Sequence, residues 1–145
     1  MIRKVTENDR EIFIQLVDEF FHSPAVNHSI PIKHIEDTFN EIISDSPFID
    51  AYLFEEDNIV VGYAQISFTY SNEAGGLVLL IEEIYLRDEC RGKGIGSKFF
   101  EFILKEYDGI VARYRLEVEY DNFRAKKLYE SFGFSELKYI QMIKE

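Results

Sequence analysis

Apolar residues recur at helical spacing in four stretches of the chain and at strand-like spacing between them. Ile12, Phe13, Leu16, Val17, Phe20 and Phe21 lie on one helical stripe, after Thr6 and Asp9, which form a capping-box-like start. Ser23 and Pro24 end that helix. A second helix is predicted over 31–43, with Ile35, Phe39, Ile42 and Ile43 on one face. A third, over 95–107, packs through Phe99, Phe100, Ile103, Leu104 and Tyr107. A fourth follows Asp121 and Asn122, with Ala125, Leu128, Tyr129 and Phe132 on one side and Gly133 as its C-terminal cap.

Strands are predicted over 2–5, 49–55, 59–70, 77–86, 113–119 and 137–143. The second and third form a hairpin through the tight turn at Glu56, Asp57 and Asn58. Residues 77–86 are continuously apolar apart from two carboxylates, which predicts a central strand covered on both faces. Helices and strands are mixed, with a β-α-β unit at a glycine-rich loop. The fold class is therefore α/β or α+β, with one central mixed, mostly antiparallel sheet flanked by helices.

The join between the 77–86 strand and the third helix reads Arg91-Gly92-Lys93-Gly94-Ile95-Gly96-Ser97. Backbone N–H groups of such a loop can converge on a phosphate, because glycine tolerates the dihedrals and leaves no Cβ in the way. The helix start adds unpaired N–H donors and the positive end of its dipole, and Arg91 and Lys93 add formal charge. A pyrophosphate is the natural guest. The glycines do not fit the nucleotide-binding spacings: no register gives Walker A, and Gly96 follows Gly94 too closely for the dinucleotide fingerprint.

The 145 residues contain no internal repeat or linker-like tract, so residues 1–145 are expected to form one domain. Neither a membrane-spanning run nor a signal-peptide pattern is present, which predicts a soluble cytoplasmic protein with no membrane partner. The single cysteine, Cys90, cannot form an intrachain disulfide or a thiolate cluster. His22, His28 and His34 match no metal spacing and are expected at the surface, so no metal is expected. Net charge is −11, which argues against nucleic acid as a partner. Four basic and fourteen acidic residues precede Ile81, so the excess negative charge lies outside the half with the phosphate loop. An acidic wall opposite that loop would attract a cationic substrate, and it would equally serve solubility. Tyr52, Tyr63, Phe68 and Tyr70 are expected chiefly to fill the core.

The glycine-loop strand–helix join, followed by a strand and then Asn122-x-x-Ala125-x-x-Leu128-Tyr129-x-x-x-Gly133-Phe134, resembles the GNAT family of N-acetyltransferases. The match is most regular over 77–134. The resemblance implies acetyl-CoA as cosubstrate, its pyrophosphate on Gly92, Lys93, Gly94, Ile95, Gly96 and Ser97 near Arg91. It further implies a pantetheine arm that adds like a strand to Ile84, Tyr85 and Leu86, contacts from Asn122 and Ala125, and Tyr129 as general acid toward the departing thiolate. The Leu86 backbone N–H is the expected oxyanion donor.

An alkylamine with a pKa of about 10.4 must lose a proton before it attacks a thioester, so a carboxylate base is required. Glu82 and Glu83 are carboxylates within an apolar strand just upstream of the loop. Strand alternation predicts that only one of them points into a given cleft. The stretch is similar to that of spermidine/spermine acetyltransferases, where the first acid of the pair is linked to proton removal. Glu82 is accordingly expected as base and Glu83 as an amine contact or structural group, with the roles exchangeable. The implied activity is transfer of acetyl to a primary amine, a small cationic amine such as a polyamine or diamine. A protein N-terminus or lysine is the alternative acceptor, and a non-catalytic acyl-CoA sensor the alternative class. A homodimer is the expected assembly.

Overall fold

In the computed structural model, residues 1–26 and 28–145 are described. Strand β1 (Ile2–Lys4) leads through a 3-10 turn at Glu7–Asp9 into α1 (Arg10–Phe21), and α2 (Ile32–Ile43) follows. Then come β2 (Ile49–Glu56), β3 (Ile59–Ser71), β4 (Gly76–Leu86), a 3-10 turn at Asp88–Cys90, α3 (Ile95–Glu106), β5 (Arg113–Leu116) and α4 (Phe123–Ser131). The five strands lie side by side in chain order, antiparallel except for the parallel β4–β5 pair. The parallel pair needs a crossover, and α3 supplies it.

Each face of the sheet carries its own core. Tyr52, Phe54, Ala64, Ile66, Leu79 and Ile81 pack against Phe99, Phe100 and Ile103 of α3, with Leu128 and Tyr129 of α4 and its C-cap Phe132 alongside. On the opposite face, Ala51, Leu53 and Tyr63 meet Phe13, Leu16 and Val17 of α1 and Ile35, Phe39 and Ile42 of α2. These are the stripes that the helical periodicity picks out, and burying them is what docks the helices. At the start of α1, Thr6 and Asp9 are joined as their spacing suggests: the Thr6 backbone N–H donates to Asp9 Oδ2 at 2.8 Å.

The β2–β3 hairpin closes on Asp57 (φ 50°) and Asn58 (φ 64°), two consecutive left-handed residues that match the twist of the flanking strands. At Gly62 a Cβ would lie 2.2 Å from the Tyr85 carbonyl oxygen, so β3 and β4 can approach this closely only with glycine there.

Two expectations fail at the C-terminal end. Strand β5 stops at Leu116 rather than at residue 119, and residues 137–143 form no strand. The alternation there buries little: Ile140 and Met142 are each 89% exposed. Side chains hold the segment instead, with Tyr139 Oη donating to Glu73 at 2.8 Å and Gln141 Nε2 to Glu117 at 2.8 Å. A strand pattern becomes a strand only when an edge accepts its backbone, and β5 remains the edge of this sheet. Tyr70, expected chiefly in the core, is 77% exposed, whereas Tyr52 and Tyr63 are fully buried.

Candidate active site

Beyond Ile81, β4 loses one neighbour and keeps the other. Its parallel pairing with β5 covers Val78–Ile81, while its antiparallel pairing with β3 continues to Leu86. The edge of residues 82–86 is therefore open where the sheet splays. The Arg87 N–H donates across β3 to the Val61 carbonyl at 3.0 Å, so by antiparallel alternation the Leu86 N–H and C=O face the open edge. Arg91 Nε takes that carbonyl at 3.1 Å. Ile84 and Leu86 lean on the α3/α4 core and Tyr85 on the α1/α2 core.

At the splay, β4 carries a bulge. Gln65 pairs with Glu83 and Ile66 with Ile81, leaving Glu82 as the extra residue. The expectation that alternation separates Glu82 from Glu83 is thereby overturned. Ser67 Oγ donates to Glu82 Oε1 at 2.7 Å, and Tyr63 Oη donates to Glu83 Oε2 at 2.6 Å. Tyr63 and Ser67 are four residues apart on a regularly alternating strand, hence on one face. Both carboxylates are held on the α1/α2 side. They differ in environment: Glu82 is exposed, and Glu83 is half-buried. Burial pushes the Glu83 carboxyl above its ordinary range, the Tyr63 hydroxyl opposes that rise, and the neighbouring Glu82 charge adds to it.

Four residues of this neighbourhood carry no signal of their own in the sequence: Ser67, Glu19, Arg87 and, beyond its core role, Tyr63. Glu19 of α1 accepts from Arg87 Nε at 3.0 Å and Nη2 at 2.9 Å, and from Tyr85 Oη at 3.3 Å. The guanidinium of Arg87 holds the Glu19 carboxyl below its ordinary range. This fork ties the C-terminal end of α1 to the end of β4. Only the i, i+4 spacing of Tyr63 and Ser67 is visible in the chain, and the bulge decides what they oppose.

The glycine loop lies just beyond. Gly92 (φ 75°) and Gly94 (φ 79°) adopt the left-handed region that side chains resist. Gly94 is the N-cap of α3, and no side chain caps that helix; its first turn opens with Lys98 N–H bonded to the Gly94 carbonyl at 3.0 Å. The N–H groups of Ile95, Gly96 and Ser97 precede that first helical bond and are free for an anion. A Cβ on Gly96 would sit 3.8 Å from Leu128. Lys93 Nζ lies 3.9 Å from Glu56, Arg91 pairs with Asp88 at 3.2 Å, and both cations are exposed. The loop residues thus fit a pyrophosphate, with a dipole, free donors and two exposed cations.

On the same face as α3, α4 is capped by Asn122, whose Oδ1 accepts from Ala125 N–H at 3.2 Å. Asn122 is thus a helix cap, whatever else it contacts. About two turns later Tyr129 packs against Phe100 (5.3 Å between centroids) and Phe134 (6.3 Å). Burial raises its phenol above the ordinary value, so it stays protonated at neutral pH and can donate. Tyr129 lines a cavity of about 910 Å³ between β5, α4 and the segment after it, with Arg115, Leu116, Lys126 and Phe134. Cys90 is buried, and the three histidines are exposed. Among the described residues no group of three or more His, Cys, Asp or Glu side chains could hold a metal.

The family profile described as acetyltransferase (GNAT) family matches residues 13–134. The chain belongs to the GNAT acetyltransferase family. A thialysine N-epsilon-acetyltransferase from Bos taurus is 30% identical, covering 94% of this chain and 85% of its own length. Its counterpart in Mus musculus is 27% identical, covering 94% and 84%. In fold, a possible acetyltransferase from Clostridium difficile 630 superposes with a TM-score of 0.85 at 22% identity, covering 100% of this chain and 96% of that one. An aminoglycoside N-acetyltransferase solved with CoA has a TM-score of 0.79 at 15% identity, covering 100% and 93%. The protein is an acetyl-transferring enzyme, with acetyl-CoA as donor, on the fold the sequence predicts. Among the described residues no helix is long and apolar enough to cross a membrane.

Proposed function

We propose that this enzyme acetylates a primary amine on a small cationic acceptor, a polyamine or diamine, with Glu82 as base, Glu83 as amine contact and Tyr129 as acid. The observation that carries the proposal is the bulge, which gathers both carboxylates on the α1/α2 face where β4 has lost its partner β5. The names of the thialysine-acetylating relatives support a small amine. When bound, acetyl-CoA supplies an activated thioester. The loop 92–97 with Arg91 and Lys93 binds its pyrophosphate, and the open edge of Ile84, Tyr85 and Leu86 aligns the arm that carries the acetyl group. Asn122 and Ala125 flank it from α4.

Exposed Glu82 accepts the ammonium proton, directly or through water, and Ser67 fixes its carboxylate. Glu83 steadies the cationic amine beside it. The outward-facing Leu86 N–H steadies the charge that develops on the acetyl oxygen. Tyr129, from the α3/α4 side, returns a proton to the sulfur. Because the sheet ends between these faces at the splay, acid and base can approach one reacting centre from opposite sides. The enzyme acts as one domain in the cytoplasm, where a lone thiol such as Cys90 stays reduced. It works on small molecules rather than nucleic acid or membranes, in keeping with its charge of −11. We further propose a homodimer in which a second copy covers the open β5 edge and the apolar residues 137–143.

The deciding assay follows thiol release from acetyl-CoA over a panel of polyamines, diamines, lysine-like amino acids and peptides. Turnover restricted to peptides would move the acceptor to a protein N-terminus or lysine and refute the small-amine reading. Tyr129→Phe should keep acetyl-CoA affinity and lose turnover about 100-fold, the scale of one general-acid contribution. Glu82→Gln should lower kcat and change its pH dependence, whereas Glu83→Gln should chiefly raise KM. The reverse pattern would exchange their roles. Light scattering tests the dimer, and a particle of single-chain mass at micromolar concentration would refute it.

A further inference from the structure

Tyr63 has no part in the chemistry above, yet its surroundings are unusual for a residue that only fills space. It is fully buried, and its ring is boxed by Phe13 (5.8 Å between centroids), Phe20 (6.4 Å) and Tyr85 (6.3 Å). Phenylalanine would fill that box without a hydroxyl to desolvate. The hydroxyl is instead committed at 2.6 Å to one oxygen of Glu83, and the three rings around it leave it little freedom to turn elsewhere.

Resting on the reading that Glu83 contacts the acceptor amine, we propose that Tyr63 is a positioning residue: its buried hydroxyl aims the Glu83 carboxylate and sets the pH at which that carboxylate becomes available to the ammonium. Glu83 is a carboxylate in a place that disfavours charge, and a donor hydrogen bond is the contact that offsets the cost. The titratable and charged groups around it are few. From β3 comes Tyr63, and from β4 come Glu82 and Tyr85. From α1 comes Glu19, which Tyr85 reaches and Arg87 neutralises. From α2 the inward side chains are Ile35, Phe39 and Ile42, none charged. Burial and the Glu82 charge therefore push toward the protonated acid, and the Tyr63 hydroxyl pulls toward the carboxylate. Without that hydroxyl the two opposing influences act alone, and ionisation moves to higher pH.

The test is a cycle of Tyr63→Phe, Glu83→Gln and the double variant, each assayed for kcat/KM toward the reactive amine across pH, with acetyl-CoA affinity as the control for folding. In Tyr63→Phe the acid limb should move up by about one pH unit, a tenfold loss on that limb, since a hydrogen bond to a charged group is of that order. The loss should lie in KM and vanish at high pH. In the Glu83→Gln background, adding Tyr63→Phe should produce no further displacement. A fluorotyrosine at position 63, a stronger donor, should move the limb the other way, which keeps the test open if the phenylalanine variant folds poorly. A Tyr63→Phe profile that overlays the wild type, or a loss equal at every pH, overturns the positioning role while leaving the acetyltransferase reading intact. If Glu83→Gln keeps the wild-type KM and profile, the amine contact assigned to Glu83 is what fails, and the inference falls with it.

Discussion

Asp9 offers the sharpest energetic test, because four donors converge on one nearly buried carboxylate. Arg3 Nη1 and Nη2 reach Asp9 Oδ2 and Oδ1 at 2.8 and 2.9 Å, and the Thr6 N–H and hydroxyl reach Oδ2 at 2.8 and 2.9 Å. Arg3 also gives its Nε to Glu55 at 2.6 Å, so the cluster fastens β1 and β2 to the start of α1. The Arg3 guanidinium holds the Asp9 carboxyl at about 2, below its ordinary 3.8, against the opposing effect of burial. At about 1.4 kcal/mol per pH unit, that difference corresponds to roughly 2 kcal/mol of stability. The folded-state value lies below the unfolded one. The contribution is therefore complete above about pH 4 and is lost as the pH falls through about 2.

Asp9→Asn keeps the shape and removes the charge. It should cost about 2–4 kcal/mol at pH 7, because Arg3 is left half-paired in a partly buried site. Urea unfolding of both proteins at pH 7 and near pH 2.5 measures it. The gap between them should narrow by more than half at the lower pH, where the wild-type carboxylate is itself titrating. A gap that is the same at both pH values, or below about 0.5 kcal/mol at pH 7, would show that Asp9 acts through packing and not as an ion.

Three further outcomes follow from single contacts. Gly94→Ala places a Cβ at φ 79° and should cost about 1 kcal/mol in thermal unfolding while weakening acetyl-CoA binding by calorimetry; unchanged affinity would separate the loop from the pyrophosphate. Asn122→Ala removes the cap on the Ala125 N–H and should cost about 1 kcal/mol, read as a lower Tm, with Asn122→Asp recovering most of it. Phe100→Ala empties the junction of α3 and α4, where Phe100 meets Tyr129, Phe132 and Phe134; a loss of about 3–5 kcal/mol in urea unfolding is expected, and one under 1 kcal/mol would mean that α4 is not packed there.

The helices were legible along the chain because each needs a single buried stripe, and Phe13, Leu16 and Val17 or Phe99, Phe100 and Ile103 mark theirs by spacing alone. The conformation of the glycine loop was legible for a related reason. It depends on neighbouring residues, and Gly92 and Gly94 adopt the positive φ that local backbone geometry demands. Residues 137–143 misled because alternation reports only that a segment could pair, and pairing needs an edge elsewhere in the fold to accept it.

Glu82 and Glu83 mark the boundary most clearly. Their residue types and place before the loop are properties of the sequence, and so is the family membership that makes this chain an acetyl-CoA-dependent acetyltransferase. Their shared face is a property of the β3–β4 register. A single unpaired residue reverses the alternation beyond it, and no pattern within β4 reveals where β3 skips. The tertiary structure likewise decided that Tyr63 and Ser67 hold those carboxylates and that Glu19 ties α1 to Arg87, since each contact joins residues 15 to 68 positions apart. Local sequence specified the chemical groups, and long-range pairing specified how they face one another.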